Sequence, residues 1–89
     1  MAVTAEQIEQ ALRRDIAALT ELEVINESHL HAGHAGAAEG SHWRVRLTSA
    51  QCANLNRVAR HRLVYHALRS VIPQGIHALA IEARAPGET

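Results

Sequence analysis

Residues 57–85 read RVARHRLVYHALRSVIPQGIHALAIEARA, and the change of period inside this stretch decides the fold. Leu63, Val64, Ala67, Leu68, Val71 and Ile72 fall on one side of a helix over 57–72. Arg62, His66, Arg69 and Ser70 fall on the other, and Pro73 and Gly75 stop the helix. Residues 76–85 are then apolar on both faces, as in a strand covered by helices.

Upstream, HWRVRLT (42–48) alternates cleanly, with Trp43, Val45 and Leu47 on a packed face and His42, Arg44, Arg46 and Thr48 on a wet one. Ser49 can cap a short helical turn in SAQCANLN. LEVINES (22–28) also alternates and reads as a short strand. Before it, Ile8, Leu12, Ile16 and Leu19 make one helical stripe over about 5–19, bordered by Asp15 and led by Thr4 and Gln7 at capping-box spacing. The tail PGET is expected to fray. The order is helix, strand, strand, helix pair, strand. A right-handed crossover makes the last strand parallel to the second. The expectation is an α+β domain, α-β-β-α-α-β, with a three-stranded mixed sheet and helices packed on one face.

With 89 residues the chain makes one domain, residues 1–89, its core at about 5–85. Phenylalanine is absent, so the core is aliphatic. Nine basic and nine acidic side chains cancel, which leaves no global field for a polyphosphate. Cys52 is the only cysteine, so neither an internal disulfide nor an all-cysteine metal site is possible within one chain. No apolar run approaches the ~20 residues of a membrane span, and the N-terminal residues lack the pattern of a signal peptide. A cytoplasmic protein with no membrane partner is expected.

Four of the seven histidines, His29, His31, His34 and His42, lie in NESHLHAGHAGAAEGSHW (26–43). Most of that stretch has neither period, and a mobile loop of about 13 residues is expected. Neutral imidazole is a ligand for zinc, copper, nickel and iron. His31 and His34 have HxxH spacing, but on a Gly/Ala loop this fixes no geometry; the bland alternative is independent titration in solvent. His77 shares a face with Leu79 and Ile81 by alternation, and its bland reading is a hydrogen-bonded structural histidine. His61 reads as a packed side chain donating to a backbone carbonyl. Arg57, Arg60, Arg62 and Arg69 form a basic region, read either as a solvated helix face or as phosphate contacts of a helix-turn-helix-like element. No GxSxG, HExxH or glycine-rich phosphate loop is present, so no enzyme is expected.

Taken in order and spacing, LEVINES, SHWRV, RVARHRLVYHAL and IHALAIEARAP resemble the BolA family over about residues 6–86. The resemblance implies a class II KH-like fold, although the GxxG of RNA-clamping KH domains is absent. It also implies an adaptor role: members pair with monothiol CGFS glutaredoxins and share a [2Fe–2S] cluster in iron–sulfur trafficking or iron and redox sensing. The glutaredoxin supplies its cysteine and a bound glutathione thiolate. The BolA side supplies two ligands, carried over here to His77 and to either His31 or His34. Counted forward from NES, His31 takes the family position; counted back from SHW, His34 is nearer, and the loop is about two residues longer than in many relatives. Cys52 and Trp43 stand where the family commonly has phenylalanine. Some members are described as DNA-binding transcriptional regulators, which makes Arg57, Arg60 and Arg62 the alternative site, with DNA held weakly. Alone, the chain is expected to be a monomer or a weak homodimer.

Overall fold

The computed structural model describes residues 3–27 and 41–88. The first helix, α1 (Ala5–Asp15), opens on a complete capping box: the Gln7 amide donates to Thr4 Oγ1 at 3.2 Å, and the Thr4 amide donates to Gln7 Oε1 at 2.8 Å. Ile8, Ala11 and Leu12 form its buried stripe. The helix ends four residues before the expected limit. The Ile16 amide caps the Leu12 carbonyl, and Ala18 takes a left-handed φ of 55°, which turns the chain into β1 (Leu19–Asn26). Leu19, which the helical stripe had included, is therefore a strand residue.

The second strand, β2 (Ser41–Ser49), lies at the centre of a sheet ordered β1-β2-β3, antiparallel to β1 and parallel to β3 (Ile76–Arg84). Its alternation is as expected on the inner face, where Trp43, Val45 and Leu47 are buried. The outer face carries His42, Arg44 and Arg46, but Thr48 is buried as well, its hydroxyl donating to Glu21 Oε1 at 3.5 Å. Between β2 and the next helix lies a single 3-10 turn, Ala50–Cys52. Ser49 caps it by accepting from the Gln51 amide at 3.0 Å and also donates to the Ala17 carbonyl at 2.6 Å. Gln51 Oε1 in turn accepts from the Ala17 amide, so the turn is tied to the end of α1.

The helix expected over 57–72 is shorter. Asn56 caps α2 (Arg57–Ala67), accepting from the Ala59 amide at 2.8 Å. A turn at 68–71 follows, then the four-residue α3 (Ile72–Gly75). Pro73 does not stop a helix here. It sits in the first turn of α3, where its missing N–H costs nothing. The core lies between the helices and the inner face of the sheet, joining Ile8, Leu12 and Ile16 to Val45, Leu47, Val64 and Leu68.

The C-terminal residues through Glu88 are clamped rather than frayed. Arg60 donates both terminal nitrogens to Glu88, at 2.6 and 2.7 Å, and the Ala85 amide donates to Glu88 Oε1 at 3.0 Å.

Candidate metal centre

His77 sits at the start of β3, and the pairing with β2 slips there. Ser41 aligns with Ile76, but His42 aligns with Ala78, which makes His77 the extra residue of a bulge. Bulges re-aim side chains, and this one breaks the expected alternation. Ile76 is buried and Leu79 packs against the core, whereas His77 between them is exposed. His77 therefore does not share the inward face of Leu79 and Ile81. Its ring meets that of His42, with centroids 5.4 Å apart and planes inclined at 61°. His42 is the neighbour that sequence reasoning missed. Alternation placed it on the wet face of β2, and the crossover placed β3 beside β2, but the one-residue slip leaves no mark in the sequence.

His31 and His34, the alternatives for the loop ligand, lie outside the described residues, as does His29. Both described ends of that connection lie at this end of the sheet: the Glu27 amide donates to the His42 carbonyl at 2.7 Å, and Ser41 pairs with Ile76. A groove of about 300 Å³ opens here, lined by Glu27, His42, Arg44, Ala78 and Ala80 among others. Beyond it, charge covers the outer face. Arg44 bridges Glu27 and Glu82, both at 2.8 Å, and Arg46 reaches Glu82 at 3.1 Å and Glu23 at 3.4 Å. Hydrogen bonds from Arg44 and Arg46 hold the Glu82 carboxyl below its ordinary pKa.

Cys52 contributes nothing to this site. It is wholly buried in the core, and burial pushes its thiol pKa up. The chain thus presents exposed imidazole and no exposed thiolate: the donor set suits an iron site whose sulfur ligands come from another molecule.

The basic region does not act as a unit. Arg60 is spent on structure, donating to the Leu55 carbonyl at 2.9 Å and the Ala83 carbonyl at 3.2 Å besides its pair with Glu88. Arg69 is held by Asp15 at 2.6 Å. Arg57 and Arg62 are exposed and carry no ion pair among the described residues. The element preceding α2 is the single turn at Ala50–Cys52, not a helix. His61, half-buried, lines a groove with Arg57, Arg60 and Ile81, and its ring makes no hydrogen bond to a described residue, contrary to the carbonyl contact expected.

The family model for "BolA-like protein" matches residues 12–88. The chain belongs to the BolA-like family. A Sinorhizobium relative, an uncharacterized protein in the cobS 5′ region, is 51% identical over 70 residues, covering 75% of each chain. The chloroplastic protein BOLA1 of Arabidopsis thaliana is 36% identical over 89 residues, covering 96% of this chain and 55% of that protein. The solved structure of Arabidopsis BolA1 superimposes with a TM-score of 0.81 at 32% identity, over 100% of this chain and 99% of that one. The DNA-binding transcriptional regulator BolA of Haemophilus influenzae is 37% identical over 67 residues, covering 75% of this chain and 63% of that protein. The chain spans about half the length of its Arabidopsis relative. The mixed three-stranded sheet with its helices is thus the BolA fold. No described helix is long and apolar enough to cross a membrane.

Proposed function

We propose that this chain is an adaptor that pairs with a monothiol CGFS glutaredoxin and shares a [2Fe–2S] cluster with it and with glutathione. His77 gives one imidazole ligand, and His31 or His34 gives the second. The observation that carries this reading is the exposed His77 on the bulge of β3, beside the anchored ends of the 28–40 connection. A ring nitrogen at a strand end held by pairing with β2 is a positioned donor. The one thiol of the chain, Cys52, is buried, which accounts for the need of a partner.

When bound, such a cluster supplies one-electron chemistry, and imidazole ligation raises its potential relative to an all-thiolate site. The residues of this chain would hold and release it. A protonated imidazole cannot ligate, so acid favours release. That suits transfer or sensing of iron and sulfur better than permanent storage.

The test is reconstitution. This chain, a CGFS glutaredoxin, glutathione, iron and sulfide are mixed anaerobically, and the product is sized and assayed for metal. A one-to-one heterodimer with two irons and two sulfides per pair supports the reading. Elution as separate proteins, with the cluster left on a glutaredoxin dimer, contradicts it.

A second reading, a DNA-binding regulator, has support from the Haemophilus relative's name and from the exposed Arg57 and Arg62. With Arg60 turned inward, few cations remain on α2 for phosphate. Weak binding with a shallow salt slope follows. Tight, sequence-selective binding at physiological salt would favour this second reading.

A further inference from the structure

The outer edge of β3 is open to another strand. The Glu27 amide donates to the His42 carbonyl, so His42, Arg44 and Arg46 turn their backbone groups toward β1. Trp43, Val45 and Leu47 then face β3, where the groups that meet them belong to Ala78, Ala80, Glu82 and Arg84. The N–H and C=O of Leu79, Ile81 and Ala83 therefore point away from the sheet. The Ala83 carbonyl bears this out, since it accepts from Arg60 Nη1 at 3.2 Å. That bond closes the edge at Ala83. No described residue bonds the outward groups of Leu79 and Ile81. Sheet edges are commonly protected by charge, proline or irregular pairing. The β1 edge carries Glu21 and Glu23 and a register shift, whereas residues 78–81 of β3 read ALAI.

Beside this edge, α2 and β3 enclose a groove of about 460 Å³ lined by Arg57, Arg60, His61, Ile81 and Arg84 among others. Its charge is unbalanced. Glu88 neutralises Arg60, and the acid of the lining, Glu82, is held by Arg44 and Arg46. Arg57 and Arg84 carry no ion pair among the described residues, and the Arg84 Nε atom is buried without a hydrogen-bond acceptor. A buried donor left unpaired is costly, and a carboxylate is its strongest partner. The described lining holds no Trp, Tyr or Phe on which bases could stack, which favours a peptide over single-stranded nucleic acid.

We propose that β3 takes up an extended acidic peptide of a partner protein as a fourth strand. The peptide backbone pairs with the outward groups of Leu79 and Ile81. Successive residues of a strand point to opposite faces, so two adjacent carboxylates reach Arg57 on the helix side and Arg84 on the outer side. The site uses neither His77 nor a cluster, so it stands or falls apart from the adaptor reading.

The probe is a fluorescein-labelled peptide, Thr-Val-Thr-Val-Glu-Glu, whose anisotropy is followed as the full chain is added. Saturable binding with a dissociation constant below about 1 mM is expected. Replacing both glutamates of the peptide by lysine should abolish it. N-methylation of one alternate set of peptide amides should abolish it too, while the other set leaves it. Arg57→Gln and Arg84→Gln should each weaken binding about threefold. Ile81→Pro removes an outward N–H but no bond to β2, and should weaken binding far more than Ile81→Ala. Far-UV circular dichroism checks the fold of each variant. In amide NMR of the unmodified chain, Leu79 and Ile81 should exchange with solvent more slowly once the peptide is bound. Absence of saturable binding, or equal affinity for the lysine peptide or for both N-methylated peptides, overturns the proposal. So does unchanged amide exchange at Leu79 and Ile81, or displacement of the peptide by oligothymidylate at lower concentration. A dimer of the chain that blocks the peptide likewise overturns it, by giving the edge to a second copy.

Discussion

Arg60 and Glu88 form a two-bonded clamp, 2.6 and 2.7 Å, between the first turn of α2 and the chain beyond β3. The same guanidinium holds the carbonyls of Leu55 and Ala83, so one side chain joins the entry of α2, the end of β3 and the C-terminal turn. The Arg60 hydrogen bonds to its carboxylate and the Ala85 amide lower the Glu88 pKa to about 2.

Acid should therefore loosen the fold in a defined window. Glu88, Glu82 and Asp15 all have lowered pKa values, each chiefly through hydrogen bonds from arginine. A lowered folded-state pKa contributes stability above the unfolded value and loses it as pH falls through the folded value. For Glu88 that window runs from 4.5 down to about 2. Urea midpoints should be flat near neutrality and fall through this range. Glu88→Gln should be less stable than the parent at pH 7, with the gap closing toward pH 2. A gap that stays constant with pH would refute the clamp's role.

Leu68 is fully buried at the end of α2, whereas Val58 near its start is 58% exposed. Leu68→Ala should cost about 2–5 kcal/mol by chemical denaturation, the range for a leucine cavity. Val58→Ala should stay within about 0.5 kcal/mol. Comparable losses at the two sites would mean that α2 packs by another face.

Ser49 is buried and joins the 3-10 turn to the end of α1 through Gln51 and Ala17. Ser49→Ala should destabilise by about 1–2 kcal/mol, having removed a cap and orphaned a carbonyl. A neutral substitution would show that the Ala17 contact adds nothing.

Cys52 is wholly buried, and burial raises its thiol pKa. The native chain should resist alkylation by iodoacetamide at neutral pH and react fully once unfolded in urea. Rapid labelling of native protein would show that this part of the core opens. Cys52→Phe should overpack this core by about 1–3 kcal/mol unless its neighbours move.

The layout of the fold was legible because its signals are periodic. The inner face of β2, the capping box at Thr4 and the buried side of α2 each follow from spacing alone. The errors lie at the boundaries. Ala18 adopts a left-handed φ that its type does not announce, so Leu19 passed for a helical residue. Pro73 reads as a stop, yet a proline also favours the first turn of a new helix. Glu88 looked like a loose end because its partner, Arg60, lies 28 residues away in sequence.

The site was legible in part. His77 stood out by its place in the chain, but its face was misread because a bulge shifts alternation by one residue. Its contact with His42 depends on register, which tertiary packing sets. The basic region misled for a similar reason: Arg60 and Arg69 belong to ion pairs with Glu88 and Asp15, residues far away in sequence.

The most direct measurement of the central claim is the visible circular dichroism of the reconstituted heterodimer, with His77→Ala set beside the parent chain. The account predicts that the cluster's signal changes form or disappears in the variant, while far-UV circular dichroism shows the fold intact. An identical visible spectrum from a folded His77→Ala chain would remove His77 from the cluster and contradict the account.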